Sequence, residues 1–302
     1  MRPPGCVRLV LVTAALIGSA GIFRASGASD PQDVAAVVAR VGERVAAYYQ
    51  RAQRLICLER STVMPIASDW SQGGFARTVE SELRVELDAL DALDIGAALP
   101  DARVTREIRR INGREPRDRD QTDRSGCTDP TPISPEPLAF LLPAQREAYA
   151  FTKVRPGREQ NRTALIIDFE SKKRSSHPEL IEDEHGHDDC FDWKGPVATS
   201  GRLWVDAVTY DVLRLERHLA GLTDVRVPSP LQRKYRFTPW LTLERDDSTL
   251  RFKEVAFSDP DETVVLPESI ESITVFRTGL QSMRRLQAFK DYRRFLTATH
   301  IK

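Results

Sequence analysis

The feature that most restricts the fold is an order of patterns. One long stretch of helical periodicity comes first, and then alternating segments follow one another through turns. Asp30 and Pro31 open the helix: the Asp30 carboxylate can accept orphan amide protons, Pro31 suits the first helical position, and Asp33 favours the positive helix end. Val34, Val37, Val38, Val41, Val45, Tyr48, Tyr49, Ala52 and Leu55 then recur at three- and four-residue steps, with Arg40, Glu43, Arg44, Gln50 and Arg51 between them. This spacing predicts an amphipathic helix running to about Leu55, whose apolar face must lie on something.

The partner reads as a sheet. Leu83, Val85 and Leu87 alternate with Glu82, Arg84, Glu86 and Asp88, the period-two pattern of a strand with one wet face. Tyr149 to Val154 and Ala164 to Phe169 read as strands joined at Arg155-Pro156-Gly157-Arg158, and Arg202 to Asp206 pairs with Val212 to Arg217 around Val208-Thr209-Tyr210. Thr249 to Phe257, Ile270 to Phe276 and Met283 to Leu296 close the chain as further strands, separated by Ser258-Asp259-Pro260-Asp261 and by Gly279. Strands joined by turns rather than by helices define an α+β fold with an antiparallel sheet of roughly eight to eleven strands.

Ahead of the helix, Arg2 and Arg8 form a basic start, Leu9 to Phe23 is an apolar and small-residue run, and Ala25-Ser26-Gly27-Ala28 offers small residues for cleavage. This is the grammar of a secretory signal peptide covering residues 1–28. The alternative is an uncleaved anchor, but the run is short against the roughly 20 residues a spanning helix needs. The expectation is a secreted, periplasmic protein that is not transmembrane after cleavage, with residues 29–302 as one domain. The 302 residues hold 44 basic and 44 acidic side chains, and Arg2, Arg8 and Arg24 leave with the leader, so a basic nucleic-acid footprint is absent from the global balance.

Cys57, Cys127 and Cys190 remain after cleavage. Cys57 lies in Leu55-Ile56-Cys57-Leu58 and reads as buried. Cys127 and Cys190 lie in polar loops and are the candidate disulfide in an oxidising compartment; three unpaired thiols are the alternative. Those loops are Gly113 to Pro137, which leads into the short apolar helix or plug Leu138-Ala139-Phe140-Leu141-Leu142, and Lys172 to Ala198.

The second loop supplies the candidate metal ligands, His185 and His187, with His177, Glu184 and Cys190 nearby; the competing reading is a solvated acidic loop. Arg103, Arg106, Arg109, Arg110, Arg114, Arg117 and Arg119 could meet anionic headgroups, or form a mixed surface with Glu107, Glu115, Asp118 and Asp120. Tyr48-Tyr49 and Tyr235, Phe237 and Trp240 read as core or rim packing. The chain carries no Gly-x-Ser-x-Gly, no His-Glu-x-x-His and no Gly-x-x-x-x-Gly-Lys, so the sequence names no catalytic residue and no cofactor.

Gly201-Arg202-Leu203-Trp204-Val205-Asp206, followed by Asp211-Val212-Leu213-Arg214-Leu215, resembles the outer-membrane lipoprotein carrier family, in which a strand of the type Gly-x-x-Trp-x-Asp is followed by a Val-Leu-Arg return. Ser134-Pro135-Glu136-Pro137-Leu138, Pro267-Glu268-Ser269-Ile270 and Tyr292 to Phe295 resemble uncharacterised secreted bacterial proteins of that lipoprotein-sorting type. The resemblance implies a strongly curved, open antiparallel sheet, a half-barrel, wrapped on the N-terminal helix, with an apolar concave face that holds acyl chains. It implies a non-enzymatic protein binding a lipid, a lipoprotein or another hydrophobic ligand. The alternatives are an envelope interaction module with a protein partner, and a metal-binding protein through the His185/His187 loop. No arginine here matches the carriers' lid arginine residue by residue.

Overall fold

The computed structural model describes residues 31–52, 54–67, 69, 71–87, 102–117, 137–172, 177–182, 190–277 and 279–294. Helix α1 (Pro31–Arg51) is followed by β1 (Arg54–Ile66), β2 (Arg77–Leu87) and β3 (Ala102–Ile111). A 3₁₀ turn (Ala139–Leu141) and a one-turn helix (Pro143–Arg146) precede β4 (Tyr149–Glu159), β5 (Arg162–Ser171), β6 (Glu179–Glu182) and β7 (Phe191–Lys194). Next come β8 (Thr199–Asp206), β9 (Val212–Leu219), β10 (Thr223–Arg226) and a short helix (Ser229–Tyr235). The long strands β11 (Trp240–Ser258), β12 (Asp261–Phe276) and β13 (Ser282–Arg294) complete the order.

The strands form an open sheet in the order β3-β2-β1-β13-β12-β11-β9-β8-β5-β4, with β10 pairing β11, β6 pairing β10 and β7 pairing β6. Pairings are antiparallel except the β10–β6 contact at Arg226 and Glu179. The first strands of the chain therefore meet its last strand: Glu59 of β1 lies opposite Phe289 of β13.

Val34, Val38, Val41, Val45 and Tyr49 of α1 are buried, as is Ala52 just past its end, while Arg40, Glu43 and Gln50 are exposed. The buried stripe meets the plug Leu138–Leu142, all of it buried, and the face of the sheet carrying Ile167, Phe169, Leu203, Leu215, Leu250 and Phe252. This is the inner face. Helix and plug cross closely at Gly42: a Cβ there would stand 2.8 Å from the Leu141 carbonyl oxygen, so the glycine is kept for its missing side chain. A second, smaller core of Leu180, Val225, Val227, Leu231, Leu241 and Leu243 sits where β6, β10 and the Ser229–Tyr235 helix pack on the start of β11.

Four expectations need correction. The sheet counts thirteen strands among the described residues rather than eight to eleven, the extra ones including the four-residue strands β6, β7 and β10. The helix ends at Arg51, and Leu55 belongs to β1, whose alternation brings Leu55, Cys57, Glu59, Ser61 and Val63 to the buried side. Because two of those five are polar, β1 has no clean period-two signature. The turn expected at Pro156-Gly157 lies inside β4; the chain reverses at Gln160 and Asn161, with φ of 50° and 63°, the left-handed pair of a tight hairpin. Pro156 is tolerated because β4 ends the sheet order and needs no second neighbour. Lys172 to Ala198, read as irregular, contains β6 and β7.

Candidate functional site

At the β1–β3 end of the inner face, α1 leaves a cavity of about 80 Å³. Tyr48 comes from α1, Ala52 from the bend just past its end, Leu55 and Cys57 from β1, Leu83 and Val85 from β2, and Val104 and Arg106 from β3. Ile270, Phe289 and Tyr292 close the far side, and Pro137, where the plug begins, stands at its edge. Among the described lining residues Arg106 is the one charged side chain; the others are apolar, thiol or phenol.

That arginine has an internal partner. Its Nε donates to Glu59 Oε2 at 2.6 Å and its Nη2 to Glu59 Oε1 at 3.3 Å. Gln287 Nε2 donates to Glu59 Oε1 at 3.0 Å. Glu59 is 1% exposed and Arg106 16%, so the pair is held away from water. An acid buried this completely requires its counter-ion, because an unpaired charge at such depth costs several kcal/mol. The Ser61 and Ser81 hydroxyls near Glu59 are buried and have no partner among the described residues.

Cys57 is a free thiol. Burial, reinforced by the neighbouring Glu59 and partly offset by Arg106, pushes it up to about 12. It therefore stays a neutral thiol and is a poor nucleophile. Tyr292 donates its hydroxyl to the Pro267 carbonyl at 2.6 Å, and burial raises its pKa. Burial likewise raises Tyr48. The described lining thus combines neutral groups with one internally compensated arginine.

The sequence singled out other residues. His185, His187 and Cys127 lie outside the described residues, and Cys190 is buried rather than in an open polar loop. His177 packs edge-on against Trp240 at 4.8 Å. Among the described residues no group of three or more His, Cys, Asp or Glu is arranged to hold a metal. Arg109 pairs with Glu107 at 2.9 Å and Glu82 at 3.4 Å as part of a mixed surface, whereas Arg106 turns inward. The inward turn follows from β3's alternation: Arg106 lies opposite Leu83, which lies opposite Cys57. Sequence reading missed Glu59 and Gln287. The available signal was an acid at an alternate position within the buried line of β1.

The hairpin of the family resemblance has a structural role. Gly201 lies under the Phe169 ring, where a Cβ would come within 2.5 Å of the ring edge. The guanidinium of Arg214 covers Trp204 at 4.4 Å. Asp206 Oδ1 accepts from the Val208 and Thr209 amides at 2.8 Å, and its Oδ2 pairs with Arg162 at 2.8 Å. Arg44 of α1 holds Asp211 with two nitrogens, at 2.8 and 3.0 Å, tying the helix to this turn.

No family model and no curated protein matches the chain. Among solved structures it is similar to a domain assigned to outer membrane lipoprotein sorting from Vibrio parahaemolyticus, at 11% identity and a TM-score of 0.34, over 87% of this chain and 95% of that one. It is similar to a DUF1329 family protein from Desulfovibrio piger, at 9% and 0.37 over 88% and 95%. A LolA superfamily protein from Nitrosomonas europaea aligns at 9% and 0.31 over 85% and 93%. Among the described residues no helix is long and apolar enough to cross a membrane.

Proposed function

We propose that the chain is a non-enzymatic, carrier-type protein that binds a lipid, or the lipid portion of a lipoprotein, on the inner face of its sheet. In this reading the leader of residues 1–28 exports it, residues 29–302 work as one domain in the periplasm, and the sheet acts as a half-barrel around the amphipathic α1. The observation that carries the reading is the apolar cavity between Tyr48 of α1 and the β1–β3 end of the sheet. Its volume of about 80 Å³ is small beside the roughly 300–1,000 Å³ of typical small-molecule sites. A full acyl chain enters as the Leu138–Leu142 plug gives way, since that segment fills the adjoining inner face with side chains of the same apolar character.

The test is native mass spectrometry of the mature protein purified from its own envelope, followed by lipid extraction. A bound acyl species near one-to-one is expected. A protein that arrives empty and stays empty when offered acyl lipids overturns the reading and moves the search to envelope protein partners. The same reading pairs Cys127 with Cys190. Thiol titration of the denatured, unreduced mature chain is then expected to find one thiol, Cys57; three would remove the disulfide.

A further inference from the structure

Resting on the lipid-binding reading, we propose that the cavity selects an uncharged acyl group, an ester or amide, over a free carboxylate, and that the Glu59–Arg106 pair sets this preference. An apolar pocket ending in an arginine ordinarily invites a carboxylate, since the guanidinium fork matches it in charge and shape. Here the fork is already taken. Glu59 occupies the Nε and Nη2 side of Arg106, and Gln287 holds Glu59 from behind. A guanidinium has five N–H donors, of which this pair uses two; the other three have no partner among the described residues. What remains is hydrogen-bond donation without net charge.

The charges around that point are few. Tyr48 from α1, Cys57 from β1 and Tyr292 from β13 are neutral lining groups. Lys253 of β11 gives its ammonium to the Phe289 carbonyl at 3.2 Å and does not line the cavity, although it is near enough to act on the Cys57 thiol. Arg285, two residues before Gln287 on β13, has Asp192 and Asp246 as its charged neighbours. A ligand carboxylate would therefore be a second anion on one arginine, beside a glutamate that has no access to water. Burying an uncompensated charge is far costlier than leaving one neutral acceptor satisfied. A carbonyl oxygen of an ester or amide takes the remaining donors and brings no charge, while its chain lies among Leu55, Leu83, Val85 and Phe289.

Calorimetry of the mature protein with dodecanoic acid and with its glycerol monoester, both below their aggregation limits, tests this. At pH 8 the monoester is expected to bind at least about tenfold tighter, a gap of about 1.4 kcal/mol. The gap should narrow toward pH 5, because the acid can enter protonated, while the monoester's affinity stays flat. Glu59→Gln keeps the shape but frees the charge on Arg106, and should shift the pH 8 preference toward the acid, with a thermal melt confirming that the variant folds. An acid that binds as tightly as the ester at pH 8 in the unaltered protein overturns the selectivity and leaves lipid binding standing. If neither compound binds, the selectivity falls together with the reading beneath it.

Discussion

Trp204 and Asp206 stand two residues apart in one strand, yet different forces hold them. The indole is 8% exposed and lies under the Arg214 guanidinium. Trp204→Ala should cost about 3–5 kcal/mol in a urea titration, the range for truncating a core aromatic. A loss under about 1 kcal/mol would place the ring at the surface. Asp206 is held by polar contacts. Burial works to raise its pKa, but the Thr209 and Val208 amides and Arg162 outweigh burial and hold the carboxyl below its ordinary range. A depressed acid contributes stability above its unfolded value of about 3.9, and the contribution is lost as pH falls through the folded value. Asp206→Asn should therefore cost about 1–3 kcal/mol at pH 7, the scale of hydrogen bonds to a charged group. Stability measured from pH 7 down to pH 2 should show this gap closing at the acid end; a gap constant with pH would mean the charge on Asp206 plays no part.

Among the elements, the crossing of α1 over the plug gives a test in which two principles oppose each other. Replacing a mid-helix glycine with alanine normally stabilises by about 0.5–1 kcal/mol through the unfolded chain and the helix propensity. At Gly42 the added Cβ meets the Leu141 carbonyl oxygen, a backbone atom that cannot swing aside. Gly42→Ala should thus lower the melting temperature, and a rise would show that α1 and the plug are loosely apposed. The same elements show what a sequence reveals. The apolar stripe of α1, the plug and the β8–β9 hairpin were legible because each buries nearly uniform apolar residues or carries a turn with strict chemistry. Strand β1 was hidden by Glu59 and Ser61 on its buried side, and the cavity with it. Arg106 looked like one of a surface series; only the pairing of β3 with β2, and of β2 with β1, brings it to Glu59 from 47 residues away.

Across the whole molecule, β11 serves two cores in succession. Leu241 and Leu243 face the smaller core, Leu250 and Phe252 the larger, and a register shift between Leu243 and Arg245 separates the two pairs. The larger core is backed by long ladders, with β11 and β12 paired from Leu243–Phe276 to Ser258–Asp261 across two register shifts. The smaller core hangs on the four-residue strands β6, β7 and β10. Local opening is governed by how much apolar contact and pairing each region must break, so the two cores should open at different free energies. Native-state hydrogen exchange is expected to find the β6, β7 and β10 amides released first. Leu180→Ala empties the centre of the smaller core and should lower protection there by about 2–5 kcal/mol, up to complete local opening. Protection in β1, β12 and β13 should change by less than about 0.5 kcal/mol, the level at which separated sites behave independently. Acyl monoester bound under α1 should then raise protection in β1–β3 and β13 and leave β6, β7 and β10 as they were. Equal losses across all strands in Leu180→Ala would instead show that β11 couples the cores into one cooperative unit.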